Sequence, residues 1–77
     1  MQTEIIVPDL DAGPVVLSVW FADPGETVFE GDRLVEVLLA GATFDVPSPA
    51  TGRLLEKRAY SNDRLQPGQV LGIVESE

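Results

Sequence analysis

Seventy-seven residues, 44% of them apolar, are expected to form one domain, 1–77, small enough that folding hides only roughly two thirds of its unfolded surface. The absence of Cys and His excludes a disulfide framework, a structural zinc site and any nucleophile activated by histidine, leaving Ser18, Ser48, Ser61 and Ser76 without a base. The formal charge of −8 is uneven, with nine acidic side chains against Arg33 in residues 1–52, and four acids balanced by Arg53, Lys57, Arg58 and Arg64 in residues 53–77; nucleic acid and anionic membrane, which need a basic footprint, are therefore poor partners.

Stability has to come from close apolar packing, in a compact β sandwich or closed barrel. No apolar run approaches a membrane span, and Met1-Gln2-Thr3-Glu4 lacks the layout of a signal peptide, so a cytoplasmic location is the default expectation. The acidic surface suits a basic protein partner, and it equally serves to keep a small domain in solution.

Glu4 to Val7 is a β-branched run stopped by Pro8, which predicts a first strand at a sheet edge, where proline is tolerated. Asp9-Leu10-Asp11-Ala12-Gly13-Pro14 is a loop. Its Asp-x-Asp-x-Gly string resembles the opening of a calcium loop, but the later glutamate is missing, and turn capping by Asp9 and Asp11 accounts for it. Neither the two carboxylates nor the punctuation-like glycines make a catalytic or phosphate-binding constellation in so small a domain, so no enzyme activity is expected. Val15 to Ala22, apolar apart from Ser18, predicts a strand buried on both faces, with Trp20 as a core residue.

Asp23-Pro24-Gly25-Glu26 is a strong turn, followed by the short run Thr27-Val28-Phe29 and a second turn at Glu30-Gly31-Asp32. Leu34–Leu39 and Thr43–Val46 are β-rich runs joined by small residues with Gly41 at the tip, which predicts a tight hairpin. Pro47-Ser48-Pro49-Ala50-Thr51-Gly52 ends the second run, because proline removes a ladder donor.

Beyond this point the pattern repeats. A shift of 37 positions places Leu17 on Leu54, Ala22 on Ala59, Val28 on Leu65, Gly31 on Gly68, Leu34 on Leu71 and Val37 on Val74. Turns fall on turns, with Pro24-Gly25 on Ser61-Asn62 and Glu30-Gly31 on Pro67-Gly68. One β unit written twice, each copy too small to bury its apolar face alone, predicts a sandwich about a pseudo-two-fold axis.

With that repeat, several segments resemble the lipoyl and biotinyl carrier domains of 2-oxo acid dehydrogenase complexes and biotin-dependent carboxylases. They are Val7-Pro8-Asp9-Leu10, Pro24 to Asp32, Leu34-Val35-Glu36-Val37, Val46 to Gly52, and Asn62 to Leu71. The resemblance implies an all-β fold, a flattened barrel or barrel-sandwich hybrid of two four-stranded antiparallel sheets, with the termini on one side and the hairpin opposite. In lipoyl domains the tip reads Glu-Thr-Asp-Lys-Ala, and its lysine carries lipoate in an amide bond. The same register here reads Leu38-Leu39-Ala40-Gly41-Ala42, so Gly41 stands at the attachment position with no side chain to modify. Lys57, the only lysine, falls within a predicted strand of the second repeat, opposite Trp20 of the first. Ala42-Thr43 after the tip leans towards the lipoyl branch, since biotin domains usually flank their lysine with methionines.

The resemblance therefore implies a non-catalytic module without cofactor or metal, whose hairpin residues Leu38, Leu39, Ala40, Gly41, Ala42 and Thr43 contact a protein partner in an acyl-transfer or carboxylase complex. Strand alternation turns one of Leu38 and Leu39 outward and one inward. The alternative is a genuine swinging-arm carrier of lipoate or biotin, attached at an atypical site such as Lys57.

Overall fold

A computed structural model describes residues 1–10 and 13–76. Eight strands make the fold: β1 (Gln2–Ile6), β2 (Val15–Trp20), β3 (Thr27–Val28), β4 (Arg33–Leu39), β5 (Ala42–Pro47), β6 (Gly52–Lys57), β7 (Arg64–Leu65) and β8 (Val70–Glu75). They form two antiparallel four-stranded sheets, sheet A in the order β1-β8-β6-β3 and sheet B in the order β5-β4-β2-β7. No helix among the described residues is long and apolar enough to cross a membrane.

The 37-residue repeat in the sequence is a repeat of structure. Exchanging β1 with β5, β8 with β4, β6 with β2 and β3 with β7 turns the strand order of one sheet into that of the other. The irregularity in β2 between Leu17 and Val19 recurs in β6 between Leu54 and Glu56. Backbone hydrogen bonds recur as well: Gly25 N–H donates to the Leu54 carbonyl, and Asn62 N–H to the Leu17 carbonyl, both at 2.8 Å. Gly25 (φ +95°) and Asn62 (φ +75°) occupy the left-handed region at matched positions, which is why the sequence places glycine and asparagine there. Each turn is also closed by a side chain: Glu26 accepts from Asp23 N–H and Asp63 from Tyr60 N–H, both at 2.8 Å.

The core lies between the sheets and pairs the repeats: Leu17 with Leu54, Val28 with Leu65, Leu34 with Leu71, and Val37 with Val74, all buried. Trp20 packs at its margin, and its indole N–H donates to the Ala59 carbonyl at 2.9 Å. Gly72 makes room for that ring, since a Cβ there would lie 3.1 Å from Trp20 Cη2 and 2.5 Å from the Glu56 carbonyl oxygen.

Two expectations need correction. The run Val15–Ala22 is not buried on both faces: Val15 and Leu17 are buried, Val16 is half-buried, and Val19 and Phe21 are exposed. A sandwich covers only the inner face of each sheet. Pro47 does not lie beyond the ladder but closes β5 opposite Arg33, at a sheet edge where its missing N–H is tolerated. The edge position expected for the first strand holds, and that strand runs Gln2–Ile6.

Candidate functional site

The hairpin β4–β5 turns in two residues, Ala40 and Gly41, between the paired residues Leu39 and Ala42. Both turn residues have positive φ, +49° at Ala40 and +81° at Gly41, the requirement of a type I′ turn whose twist matches that of the flanking strands. Glycine meets that requirement without strain, whereas alanine meets it at a cost of about 1 kcal/mol. A Cβ built on Gly41 would find no atom within 4 Å, so the outermost position of the tip is open space.

The expected contact residues divide. Leu38 is 43% exposed, and Ala40, Gly41, Ala42 and Thr43 are exposed beside it. Leu39 is half-buried and packs against the core, so the alternation of β4 removes it from any apolar patch at the tip. Cross-strand pairing aligns Val16, Leu38 and Thr43 in one row on the outer side of sheet B, with Arg64 of β7 at its end. Val16, half-buried beside Leu38, belongs to that row although the sequence did not single it out. The signal lay in the register between β2 and β4, which is a tertiary fact.

Lys57 lies elsewhere. Its ammonium is 2.8 Å from Asp23 Oδ1 and 5.4 Å from the centre of the Trp20 ring, and its side chain is 19% exposed. Ion pair and cation–π contact together tie the amine to the side of the sandwich. Trp20 and Lys57 are repeat mates, and their contact across the two halves brings equivalent positions together near the pseudo-two-fold axis.

Ser48, the one buried polar side chain among the described residues, donates its hydroxyl to the Ala50 carbonyl at 2.7 Å and uses its own N–H and carbonyl in backbone bonds to Asp32 and Gly31. It holds the turn after β5. Of the acidic loop, Asp9 is exposed, while Asp11 and Ala12 lie outside the described residues, so a calcium-loop geometry is not addressed.

A tip that offers no amine does not fit an amide-linked cofactor, and the one lysine of the sequence lies in β6, outside the hairpin, paired with Asp23.

Comparison with known proteins places this geometry. The family model described as biotin-requiring enzyme matches residues 3–74. The chain is 38% identical over 78 residues, 99% of its length, to the dihydrolipoyllysine-residue succinyltransferase component of the 2-oxoglutarate dehydrogenase complex of Bartonella vinsonii subsp. berkhoffii, covering 19% of that protein. It is 37% identical over 76 residues, 95% of its length, to the lipoamide acyltransferase component of the branched-chain alpha-keto acid dehydrogenase complex of Pseudomonas aeruginosa, covering 16% of it. The chain thus spans less than a fifth of the length of these relatives. Its fold matches the solution structure of the lipoyl domain of the 2-oxoglutarate dehydrogenase complex from Azotobacter vinelandii with a TM-score of 0.76, over 95% of both chains at 21% identity.

Proposed function

The chain belongs to the biotin–lipoyl family, and from that premise we propose that it is an unmodified, non-catalytic lipoyl-domain-like module that works by protein contact within an assembly related to the 2-oxo acid dehydrogenase complexes. The observation that supports this reading is the pairing of an intact scaffold with a tip that presents Gly41, in open space, where carrier domains present lysine. The neighbours do not compensate, because Ala40 and Ala42 carry no amine and Lys57 is held by Asp23 and Trp20.

The residues free to meet a partner at this end are Leu38, Ala40, Gly41, Ala42 and Thr43, with Leu39 turned towards the core. The partner is a component of an acyl-transfer or carboxylase complex, and the cytoplasm is the proposed location. Relatives named as components of such complexes support the class of assembly.

Incubation of the purified chain with lipoate–protein ligase, ATP and lipoate, and separately with biotin ligase and biotin, followed by intact-mass measurement, tests the reading. Unchanged mass is expected in both reactions. Acylation of Lys57 would overturn the proposal in favour of a working carrier. The converse variant, Ala40→Asp with Gly41→Lys, is expected to gain one lipoyl group, because it puts an amine in the open space at the tip of the hairpin.

A further inference from the structure

The two sheets leave four strands at their edges, and two of these are long: β1 with five residues and β5 with six, against two each in β3 and β7. The repeat makes β1 and β5 equivalent. Ile73 faces Glu4 as its mate Glu36 faces Asp45, and Val70 faces Ile6 as its mate Arg33 faces Pro47. The next residues agree as well: Val7 donates to the Gln69 carbonyl and accepts from Gly68 N–H, as Ser48 does with Asp32 and Gly31. Alternate residues of an edge strand bond to its neighbour, so the residue before Val7 and the residue before Ser48 turn their backbone nitrogens outward.

At that outward position the two edges differ. Pro47 closes β5, because proline has no N–H to offer an added strand, whereas Ile6, 45% exposed, keeps its donor on β1. Met1 exchanges backbone bonds with Ser76, so the same alternation points the N–H and C=O of Gln2 and Glu4 away from β8. The charges differ in the same sense. Asp45 on β5 has Arg33 at 3.9 Å, but the mate of Arg33 is Val70, and no cation among the described residues stands within ion-pair distance of the exposed Glu4. The edge at β5 is blunted, while the edge at β1 is open and lacks a positive partner. Between the two edges runs a groove of about 270 Å³, walled by Ile5, Ile6 and Pro8 on one side and Val46, Pro47 and Pro49 on the other.

We propose that β1 is a docking edge for an extended segment of a protein partner in which basic and aliphatic residues alternate, added to sheet A as a fifth strand. The outward backbone groups of Gln2, Glu4 and Ile6 supply the ladder. One row of the segment then lies on the outer side beside Glu4, where a Lys or Arg provides the charge that Arg33 provides to Asp45. The other row lies on the inner side, where aliphatic side chains enter the groove. A second copy of this chain does not meet these needs, since its own β1 brings another unpaired carboxylate in place of a cation. The proposal goes beyond the contacts at the hairpin and stands whether or not the tip is modified.

Titration of the isotope-labelled chain with a capped peptide of about six residues in which Lys and Val alternate, in about 0.05 M salt, tests the proposal by amide shifts. Shifts are expected along Gln2–Ile6 and at Val46, and not along β2. The peptide with Glu in place of Lys is expected to bind at least about tenfold more weakly.

The variant Ile6→Pro installs on β1 the proline that β5 already carries at the equivalent position, and is expected to keep the fold while weakening the Lys-Val peptide at least about tenfold. If that variant does not fold, Glu4→Gln, at an exposed position, is expected to weaken binding about threefold. Absence of shifts up to about 5 mM peptide, shifts confined to sheet B, equal affinity for the two peptides, binding unchanged in the variants, or association of the chain with itself through β1 would overturn the proposal.

Discussion

Sheet A and sheet B are two solutions to one folding problem, and their differences separate what the fold needs from what it leaves free. Inside, the halves agree: matched strands, matched irregularities, matched backbone bonds across the sandwich and matched buried leucines. The ends do not. At one end β4 and β5 are joined through Ala40-Gly41; at the other β8 and β1 pair as the first and last strands, with no covalent turn between them. The hairpin is the feature that the second half lacks.

The comparison breaks most sharply at Gly72. Its repeat mate is Val35, a fully buried valine, so Gly72→Val would make the two halves alike in sequence. The structure forbids that likeness, because Trp20 packs over Gly72 and the Glu56 carbonyl stands 2.5 Å from where a Cβ would go. Gly72→Val is expected to cost about 3 kcal/mol or more, enough to abolish the cooperative transition of so small a domain in urea or heat. A variant that unfolds like the parent would mean that the Trp20 ring does not occupy this place.

Leu17 and Leu54 sharpen the agreement. Both are fully buried at matched positions, and each replaced by alanine is expected to cost about 2–5 kcal/mol in urea denaturation, the two values within about 1 kcal/mol of each other. A large gap between them would show that one half packs more loosely than the other. Trp20→Phe probes the centre. It leaves the carbonyl of buried Ala59 without its indole donor and removes the better ring for Lys57, at an expected cost of about 1–3 kcal/mol in the same measurement.

The repeat was legible in the sequence because it is written in the two currencies that sequence carries well, the spacing of apolar residues and the residues that turns demand. Gly31 and Gly68 both take positive φ, as do Gly25 and Asn62. The hairpin was legible for the same reason. The exposure of Val19 and Phe21 was not, because an extra residue at Ser18 breaks the alternation of β2. Leu17 pairs with Val37 and Val19 with Glu36, so the strand changes face without a polar residue on every outward position. A run of apolar residues then looks like a strand buried on both sides. The partnership of Val16 with Leu38 was hidden for another reason, since it depends on which strands become neighbours.

The smallest expected effect lies at the tip, and it has the opposite sign. Ala40 holds a φ of +49° that alanine adopts only under strain, whereas asparagine is the residue that type I′ turns favour before glycine. Ala40→Asn is expected to stabilise the domain by about 0.5–1 kcal/mol, raising the melting temperature by about 2–8 °C in a calorimetric scan. The gain would show that the turn is a strained I′ turn kept in spite of its sequence. Stability unchanged or lowered would mean that the tip has another backbone, and that a lysine at 41 would project in another direction. In the I′ geometry Gly41→Lys carries its own cost of about 1 kcal/mol for a side chain at positive φ. An asparagine at position 40 offsets that cost. Loading of Gly41→Lys by lipoate–protein ligase should therefore survive to a higher temperature with Ala40→Asn than without it, which ties the geometry of the turn to the chemistry that the tip can be made to accept.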